Sequence, residues 1–226
     1  MKILEIYCRL LEIYGPQNWW PTTIDGNIHP TYNNRKKLTN KHRYEIAVGA
    51  ILTQNTNWHN VEKAIVNLNR NNLLCPDKII NSPDEAIESM IKPSGYYRLK
   101  TKRLKFLTEW WLDNNEKVLM EQNKPGNLIL WRSSLLSVWG VGQETADSIL
   151  LYCYDFPTFV IDTYTKRIMN RHMGVSLNIK YEDLRKLFMN SLPVNVALYK
   201  EFHALFVLSA KKTCKKNECL PECPLA

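Results

Sequence analysis

The chain has 226 residues, enough to bury a sizeable hydrophobic core in one domain or in two packed lobes. Its 30 Lys and Arg residues outnumber 22 Asp and Glu residues, and the resulting net charge of +8 favours a polyanionic partner. The absence of any apolar run of about 18 residues argues against a signal peptide or a membrane span. The six cysteines do not resemble a secreted disulfide framework, so we expect a cytoplasmic protein.

The first predicted element is an amphipathic helix. Apolar residues recur at helical spacing from Ile3 to Tyr14, and Gly15 followed by Pro16 ends the pattern. The next stretch, up to about Asn40, is polar and interrupted by Gly and Pro residues, which is typical of a loop.

Two adjacent tryptophans, Trp19 and Trp20, open this loop and precede Pro21. Neighbouring residues cannot both lie on one helix face, so at least one of the rings lines a surface or a pocket. The alternative is that it plugs the core beneath the loop. The residues alone leave both interpretations open.

A buried helix is predicted from Arg43 to Leu52, because its residues are apolar nearly all round. Four amide or hydroxyl residues, Thr53 to Thr56, follow it, and Trp58 comes shortly after. Side chains of this kind commonly cap a helix and turn the chain. Gln54 is the longest of the four.

Further helices are predicted around residues 61–68 and 83–91. A basic turn, residues 92–99, then leads into another helix, whose start carries Lys100, Lys102 and Arg103. A basic helix start of this kind either contacts a phosphate backbone or is simply a solvated face.

The most informative stretch is a short helix ending near Leu136, a two-glycine turn and a second helix that continues to Cys153. The turn consists of Gly140, Val141 and Gly142. Such a turn leaves backbone N–H groups without intrahelical partners at the positive end of the second helix. We therefore predict an anion site that suits a phosphate.

About twenty residues further on, an apolar run from Phe159 to Ile161 is followed by one carboxylate, Asp162, just before a basic helix. Taken alone, Asp162 is equally an ordinary N-cap. Two more helices are predicted, near Tyr181–Met189 and Val196–Lys211. Because no strand-like alternation exceeds a few residues, we predict an all-α fold.

Gly140-Val141-Gly142 followed by Val160-Ile161-Asp162-Thr163 resembles the helix-hairpin-helix (HhH-GPD) DNA glycosylase superfamily, in its endonuclease III branch. The resemblance implies two helical lobes with a cleft between them, with the hairpin motif and a catalytic Asp at the cleft. It implies a single split domain over 1–226, with a middle lobe of about 43–154, another lobe of about 1–40 plus 155–210, and a Cys-containing tail, 211–226. It also implies a nucleoid-associated monomer acting on double-stranded DNA that contains a damaged base.

The same resemblance implies roles for individual residues. Asp162 stabilises the oxocarbenium-like sugar and orients water when the N-glycosidic bond is hydrolysed. Gln54 enters the duplex to fill the space of the flipped nucleotide. The DNA backbone is contacted by Gly140, Val141, Gly142, Thr145, Lys100, Lys102 and Arg103.

Glu144 departs from the pattern of the bifunctional family members. Those enzymes carry a lysine at this position, two residues after the second glycine, and it forms a Schiff base with the sugar. A carboxylate cannot perform amine chemistry. A monofunctional glycosylase without AP-lyase activity is therefore implied.

A closer resemblance is to the bacterial 3-methyladenine DNA glycosylases of the endonuclease III branch. The shared features are Trp19-Trp20-Pro21, Leu52–Thr56 with Trp58, Pro93–Tyr97, Glu144 and Asp162. They imply excision of 3-methyladenine or another alkylated purine in a pocket formed by Trp19, Trp20, Pro21 and Trp58. Stacking a cationic base on tryptophan gains ~1 to 2 kcal/mol when desolvated.

Two alternatives remain at this point. One is an endonuclease III-like glycosylase/AP lyase that acts on oxidised pyrimidines, with its amine supplied from elsewhere in the chain. The other is a helix-hairpin-helix DNA-binding module without catalytic activity.

The tail carries Cys214, Cys219 and Cys223. Endonuclease III relatives often end in four cysteines that hold a [4Fe–4S] cluster, whereas the tail here has only three, at different spacings. Cys8 is a fourth candidate but is expected to be a core cysteine. His203 is expected to be a helix residue rather than a ligand. We therefore expect no complete cluster.

Overall fold

The computed structural model describes residues 2–32, 37–122, 124 and 126–226. Contacts divide the chain into two compact units. The terminal unit comprises Met1–Trp19 and Pro157–Ala226, and the middle unit comprises Trp20–Phe156. The described residues 20–32 and 37–40, which the resemblance placed with the termini, fall in the middle unit.

The regular elements are almost all helical, which confirms the predicted all-α class. In chain order they are α1 (Ile3–Tyr14), β1 (Thr22–Thr23), β2 (Pro30–Thr31), α2 (Asn40–Leu52), α3 (Trp58–Arg70), α4 (Pro76–Asn81), α5 (Asp84–Ile91), a 3-10 helix (Lys92–Ser94), α6 (Tyr97–Glu121), α7 (Asn127–Leu136), α8 (Gln143–Tyr154), α9 (Thr163–Met173), α10 (Tyr181–Ser191) and α11 (Val196–Lys212). Within the described ranges, no helix has the length and apolar character needed to cross a membrane.

The helix predictions agree with the structure except at short elements. Gly15, at φ +67°, ends α1 as predicted. The six-residue helix α4 was not predicted, because a single turn and a half is too short to show a helical period. The predicted loop after Trp20 contains a two-residue antiparallel pairing, Thr22 with Thr31 and Thr23 with Pro30.

Helix α2 forms the core of the middle unit. Every residue from His42 to Leu52 is buried, which confirms the predicted central helix, and its main helical neighbour is α8. Glu45 in α2 accepts hydrogen bonds from the backbone N–H and the hydroxyl of Thr23, at 3.0 and 2.7 Å. These bonds fix the segment that follows Trp20 to α2.

An aromatic cluster forms the core of the terminal unit. Phe159 stacks on Phe188 with ring centroids 4.2 Å apart and packs edge-on against Tyr199 and Phe202. Burying each of these rings contributes roughly 1.5–3 kcal/mol. Because Phe159 lies three residues before Asp162, this packing fixes the backbone that presents the carboxylate.

Candidate functional site

The hairpin consists of α7, the glycine turn and α8, as predicted. Gly140 adopts φ +85°, and a Cβ built there would lie 2.3 Å from Cγ of Arg103. Only glycine satisfies both restrictions. Gly142 is the N-cap of α8 and contributes no capping side chain. Helix geometry leaves the first N–H groups of α8 without intrahelical acceptors, which is the arrangement that binds an anion.

A bidentate ion pair joins the two helices of the hairpin. Arg132 in α7 donates to both carboxylate oxygens of Asp147 in α8, at 2.9 and 3.1 Å. The Asp147 side chain is fully buried. Removing one partner of such a pair leaves a buried charge without compensation, so the pair holds the hairpin rigid.

Gln54 lies against the hairpin turn. Its amide nitrogen donates to the Gly140 carbonyl and to the Thr145 hydroxyl, both at 3.0 Å, and Arg103 donates to its amide oxygen. Both ends of the amide are thus occupied by the protein. Entry of Gln54 into a duplex, as predicted from the resemblance, requires these bonds to open, and that role stays a prediction.

The basic start of α6 requires a correction. Lys100 is only 1% exposed, and its ammonium donates to the carbonyls of Leu52 and Ser94 at 2.9 and 2.7 Å. Burial, reinforced by the nearby Arg103, lowers the pKa of Lys100 to about 8. Lys100 therefore does not offer its charge to a DNA backbone as predicted, because it satisfies two buried carbonyl groups.

Two other predicted phosphate contacts differ in their surroundings. Lys102 is exposed, whereas the Thr145 side chain is buried and its hydroxyl already accepts from Gln54. Glu144 lies exposed in the first turn of α8, at the position that carries a lysine in lyases. A carboxylate there interacts favourably with the helix dipole.

Asp162 is the N-cap of α9. Its Oδ1 accepts from the backbone N–H of Thr165 at 2.6 Å and from the Thr165 hydroxyl at 2.8 Å. The residue is 7% exposed. The capping role that the residues suggested is therefore real, and it orients the carboxylate without excluding a catalytic role.

The second oxygen of Asp162 faces His203, which was expected to be an ordinary helix residue. Nε2 of His203, in α11, lies 3.6 Å from Oδ2. Burial acts to raise the pKa of Asp162, but the hydrogen bond and charge of His203, with the two bonds from Thr165, outweigh it and lower the pKa below 3.8. The buried carboxylate is therefore ionised at neutral pH.

The predicted base-pocket tryptophans do not form a parallel pair. Trp20 meets Trp58 edge-to-face at 5.6 Å and 89°, and meets Tyr152 at 5.4 Å and 66°. A Cβ on Gly49 would lie 3.1 Å from the Trp20 ring, so glycine permits this packing. The rings contact each other, which leaves no preformed slot between the faces of Trp20 and Trp58.

The remaining two pocket candidates have different surroundings. Pro21 is buried in the middle unit, whereas Trp19 is partly exposed and belongs by its contacts to the terminal unit. Their predicted contact with a base stays a prediction.

The cysteine tail folds against the end of α9. The Sγ atoms of Cys214, Cys219 and Cys223 lie 3.6, 3.7 and 3.8 Å from Nε2 of His172. Cys8 is exposed on α1, contrary to the expectation of a core cysteine, because it lies off the buried face formed by Ile3, Ile6 and Leu10.

His203 and His172 are the residues that sequence reasoning missed. Each is far along the chain from its partners, 41 residues for His203 and Asp162 and 42 for His172 and Cys214. The sequence signal that bears on His172 is the set of three tail cysteines, from which we expected no complete cluster.

Comparison with known proteins identifies the family. The model of the HhH-GPD superfamily of base excision DNA repair proteins matches residues 48–194. The Methanocaldococcus jannaschii protein named "Putative DNA repair glycosylase MJ1434" is 42% identical over 99% of this chain and 93% of its own length.

Solved structures show the same fold. The H. pylori 3-methyladenine DNA glycosylase (MagIII) bound to 1,N6-ethenoadenine is 24% identical, with a TM-score of 0.72 over 94% of this chain and 98% of its own. A trapped endonuclease III–DNA covalent intermediate is 18% identical, with a TM-score of 0.74 over 99% of this chain and 92% of its own. The hairpin, the capped Asp162 and these matches agree: the chain belongs to the HhH-GPD superfamily of base excision DNA repair proteins and is a DNA glycosylase of that family.

Proposed function

We propose that this protein is a monofunctional DNA glycosylase that removes 3-methyladenine or another alkylated purine from double-stranded DNA. The observation that carries the proposal is Asp162, a buried carboxylate with a lowered pKa, whose Oδ1 accepts two hydrogen bonds from Thr165 and whose Oδ2 lies 3.6 Å from Nε2 of His203. Such a group stabilises positive charge that develops on a sugar.

The reaction needs little acid or base assistance when the base is cationic. The C1′–N bond breaks with both electrons moving to the base, so an N3-alkylated adenine leaves as a neutral molecule. The sugar becomes an oxocarbenium-like cation, water adds to C1′, and the water proton is released to solvent. Because a carboxylate of lowered pKa is a weak base, we assign Asp162 mainly to charge stabilisation and to orienting that water.

Glu144 supports the monofunctional assignment, since it occupies the position of the lyase lysine. Lys100 is the one buried amine with a lowered pKa among the described residues, as a Schiff-base lysine requires. Its ammonium, however, donates to two carbonyls inside the middle unit. Neither residue offers a free amine to a sugar.

The alkylated purine is supported by the aromatic group around Trp20 and by the fold shared with the H. pylori 3-methyladenine DNA glycosylase. Trp20 and Trp58 are each partly exposed, so part of the pair is accessible to a ligand. A flat cationic base stacked on one of these rings gains cation–π energy.

An endonuclease III-like glycosylase/lyase is the second candidate, since this fold also supports a covalent endonuclease III–DNA intermediate. Borohydride reduction on an abasic duplex separates the two. We expect no trapped protein–DNA adduct. A stable adduct that disappears in Lys100→Met would establish the lyase instead.

Mass spectrometry of bases released from methylated DNA tests the main proposal. We expect 3-methyladenine or another alkylated purine from the wild type and essentially none from Asp162→Asn. Asp113→Asn is the matched control, because Asp113 is an exposed carboxylate on α6 and should release bases at the wild-type rate. Release by Asp162→Asn at the wild-type rate would show that another group performs the chemistry.

A further inference from the structure

Four ligand-type side chains converge at the C-terminal tail. The sulfur atoms of Cys214, Cys219 and Cys223 surround one nitrogen, Nε2 of His172, at 3.6–3.8 Å. The ligand atoms of His172, Cys219 and Cys223 all lie within 4.8 Å of one another. His172 comes from the last turn of α9, and the three cysteines follow α11.

The three nitrogen–sulfur separations match those around one tetrahedral ion. With Zn–S bonds of about 2.3 Å and a Zn–N bond of about 2.0 Å, tetrahedral angles place sulfur about 3.5 Å from nitrogen. The three distances from the imidazole nitrogen to sulfur are close to that value. Three cysteines and one histidine are also a complete ligand set for a structural zinc site.

The four-iron cluster of endonuclease III relatives fits this arrangement poorly. In a [4Fe–4S] cluster each ligand binds a different iron. The distance between two ligand atoms therefore spans the separation of two irons as well as the two iron–ligand bonds. Ligand atoms in near contact, as here, leave no room for eight cluster atoms between them. The side chains that meet here are three thiols and an imidazole, whereas the cluster normally takes four thiolates.

The surroundings hold the ligands in position. Nη1 of Arg171 donates to Sγ of Cys214 at 3.2 Å and to the carbonyls of Lys215 and Glu218, both at 2.9 Å. The guanidinium offsets part of the negative charge that three thiolates bring to a divalent ion. The His172 ring is also hydrogen-bonded to the backbone of Leu225, an outer contact of the kind that orients metal-binding histidines.

We propose that His172, Cys214, Cys219 and Cys223 bind a single zinc ion in tetrahedral geometry, in place of an iron–sulfur cluster. The ion cross-links the tail to the C-terminal turn of α9, the helix whose N-cap is Asp162. Its role is structural, because four protein ligands leave no open position for water or substrate.

Metal analysis of the full-length protein, purified without oxygen from medium containing both iron and zinc, tests the proposal. We expect one zinc per chain, no acid-labile sulfide and no absorbance band near 400 nm. Replacement of zinc by Co²⁺ should give the ligand-field and thiolate charge-transfer bands of a tetrahedral site. Iron with acid-labile sulfide would overturn the proposal, and so would a wild-type protein that binds neither zinc nor cobalt.

Variants identify the fourth ligand. We expect His172→Ala to weaken Zn²⁺ binding by more than about 100-fold, because loss of an outer-sphere partner alone costs at most about that much. We expect His172→Cys to retain Zn²⁺ binding. His59→Ala and Cys8→Ser are the matched controls, since both residues are exposed and distant in sequence from the tail. If His172→Ala does not fold, the Co²⁺ spectra of the wild type and His172→Cys still show whether residue 172 binds the metal. The thiolate-to-cobalt charge-transfer band must strengthen when a thiolate replaces the imidazole. Wild-type affinity in His172→Ala, or unchanged spectra in His172→Cys, would overturn the assignment.

Discussion

Helix α8, which carries the predicted anion site, and helix α9, which carries Asp162, begin in different ways. Helix α8 begins at Gly142, which has no side chain to cap its first N–H groups, whereas α9 begins at Asp162, whose carboxylate accepts from Thr165. The first N–H groups of a helix lack intrahelical acceptors. The N-cap residue leaves them uncapped in α8, which we call the open terminus, and caps them in α9, which we call the closed terminus. An open N-terminus suits an external phosphate, and a closed one keeps an internal carboxylate ionised and oriented.

The largest effect is expected at the closed terminus. Asp162→Asn keeps a capping oxygen but removes the charge, so we expect base release to fall by roughly 100-fold or more, with a loss of stability limited to the contribution of the ionised carboxylate. Asp162→Ala also removes the cap and should cost about a further 0.5–2 kcal/mol of unfolding free energy. Single-turnover glycosylase assays and urea denaturation measure the two effects. Equal activity in the Asn variant and the wild type would contradict the separation of cap and charge.

At the open terminus, the two glycines of the turn should respond differently. Gly140→Ala places a Cβ 2.3 Å from Arg103 at φ +85°, so we expect a loss of about 1–3 kcal/mol in stability and weaker DNA binding. Gly142→Ala is the matched control, because its φ is −94° and no described atom lies within 4 Å of the added Cβ. Thermal denaturation and DNA titration of both variants measure the difference, and similar losses in the two would refute this account of the turn.

The two lysines at the start of α6 separate structure from DNA contact. Lys100→Met leaves the Leu52 and Ser94 carbonyls without their donor, so we expect about 1–3 kcal/mol of destabilisation and an unchanged salt dependence of DNA binding. Lys102→Met should leave stability unchanged and reduce the slope of log K against log salt by about 1 if Lys102 contacts a phosphate. Denaturation and salt titrations distinguish the two. A reduced slope in Lys100→Met would restore the original prediction for that residue.

The features that were predictable from sequence are local ones. The helix–turn–helix and the apolar approach to Asp162 depend on residues within a few turns of one another, and their glycines and apolar spacing are visible in the chain. The direction of the Lys100 side chain depends on a carbonyl 48 residues away, and that of His203 on a carboxylate 41 residues away. Burial decides which side chain of a basic helix turns inward, and a single sequence does not reveal it.

The two ends of α9 also differ in whether their role could be predicted from sequence. Its N-terminus was predicted, because an Asp before a helix is a common cap. The role of its C-terminus was not predicted. In the sequence His172 is simply one of the basic residues in the last turn, and only the fold brings the cysteine tail next to it. Three cysteines at irregular spacing led us to expect no complete cluster, because the proposed fourth ligand depends on a tertiary contact.

A smaller effect is expected from replacing His203, which tests why Asp162 stays ionised at the closed terminus. The folded pKa of Asp162 lies below its ordinary 3.8, so this group stabilises the protein above about pH 4, and that contribution is lost as pH falls through the lowered pKa. His203→Asn removes the largest lowering cause while burial still raises the pKa, so the carboxylate should protonate at higher pH. We expect the acid limb of the glycosylase pH profile to move upward, with activity at neutral pH reduced only modestly. The profile of His59→Asn should match the wild type, and an unmoved acid limb in His203→Asn would show that Thr165 alone maintains the ionised state.

The smallest effect is expected at Glu144, which tests whether the N-terminus of α8 is open in practice. Its carboxylate is exposed in the first turn of α8, where it competes with a phosphate for the positive end of the helix. Removing this charge in Glu144→Gln gives up roughly 0.3–1 kcal/mol of dipole stabilisation but lifts the repulsion of DNA, so we expect binding to tighten by about two- to fivefold at low salt. Glu144→Lys should bind more tightly still. If neither variant changes DNA affinity, phosphate does not approach this helix, and the open terminus of α8 serves only to make the turn.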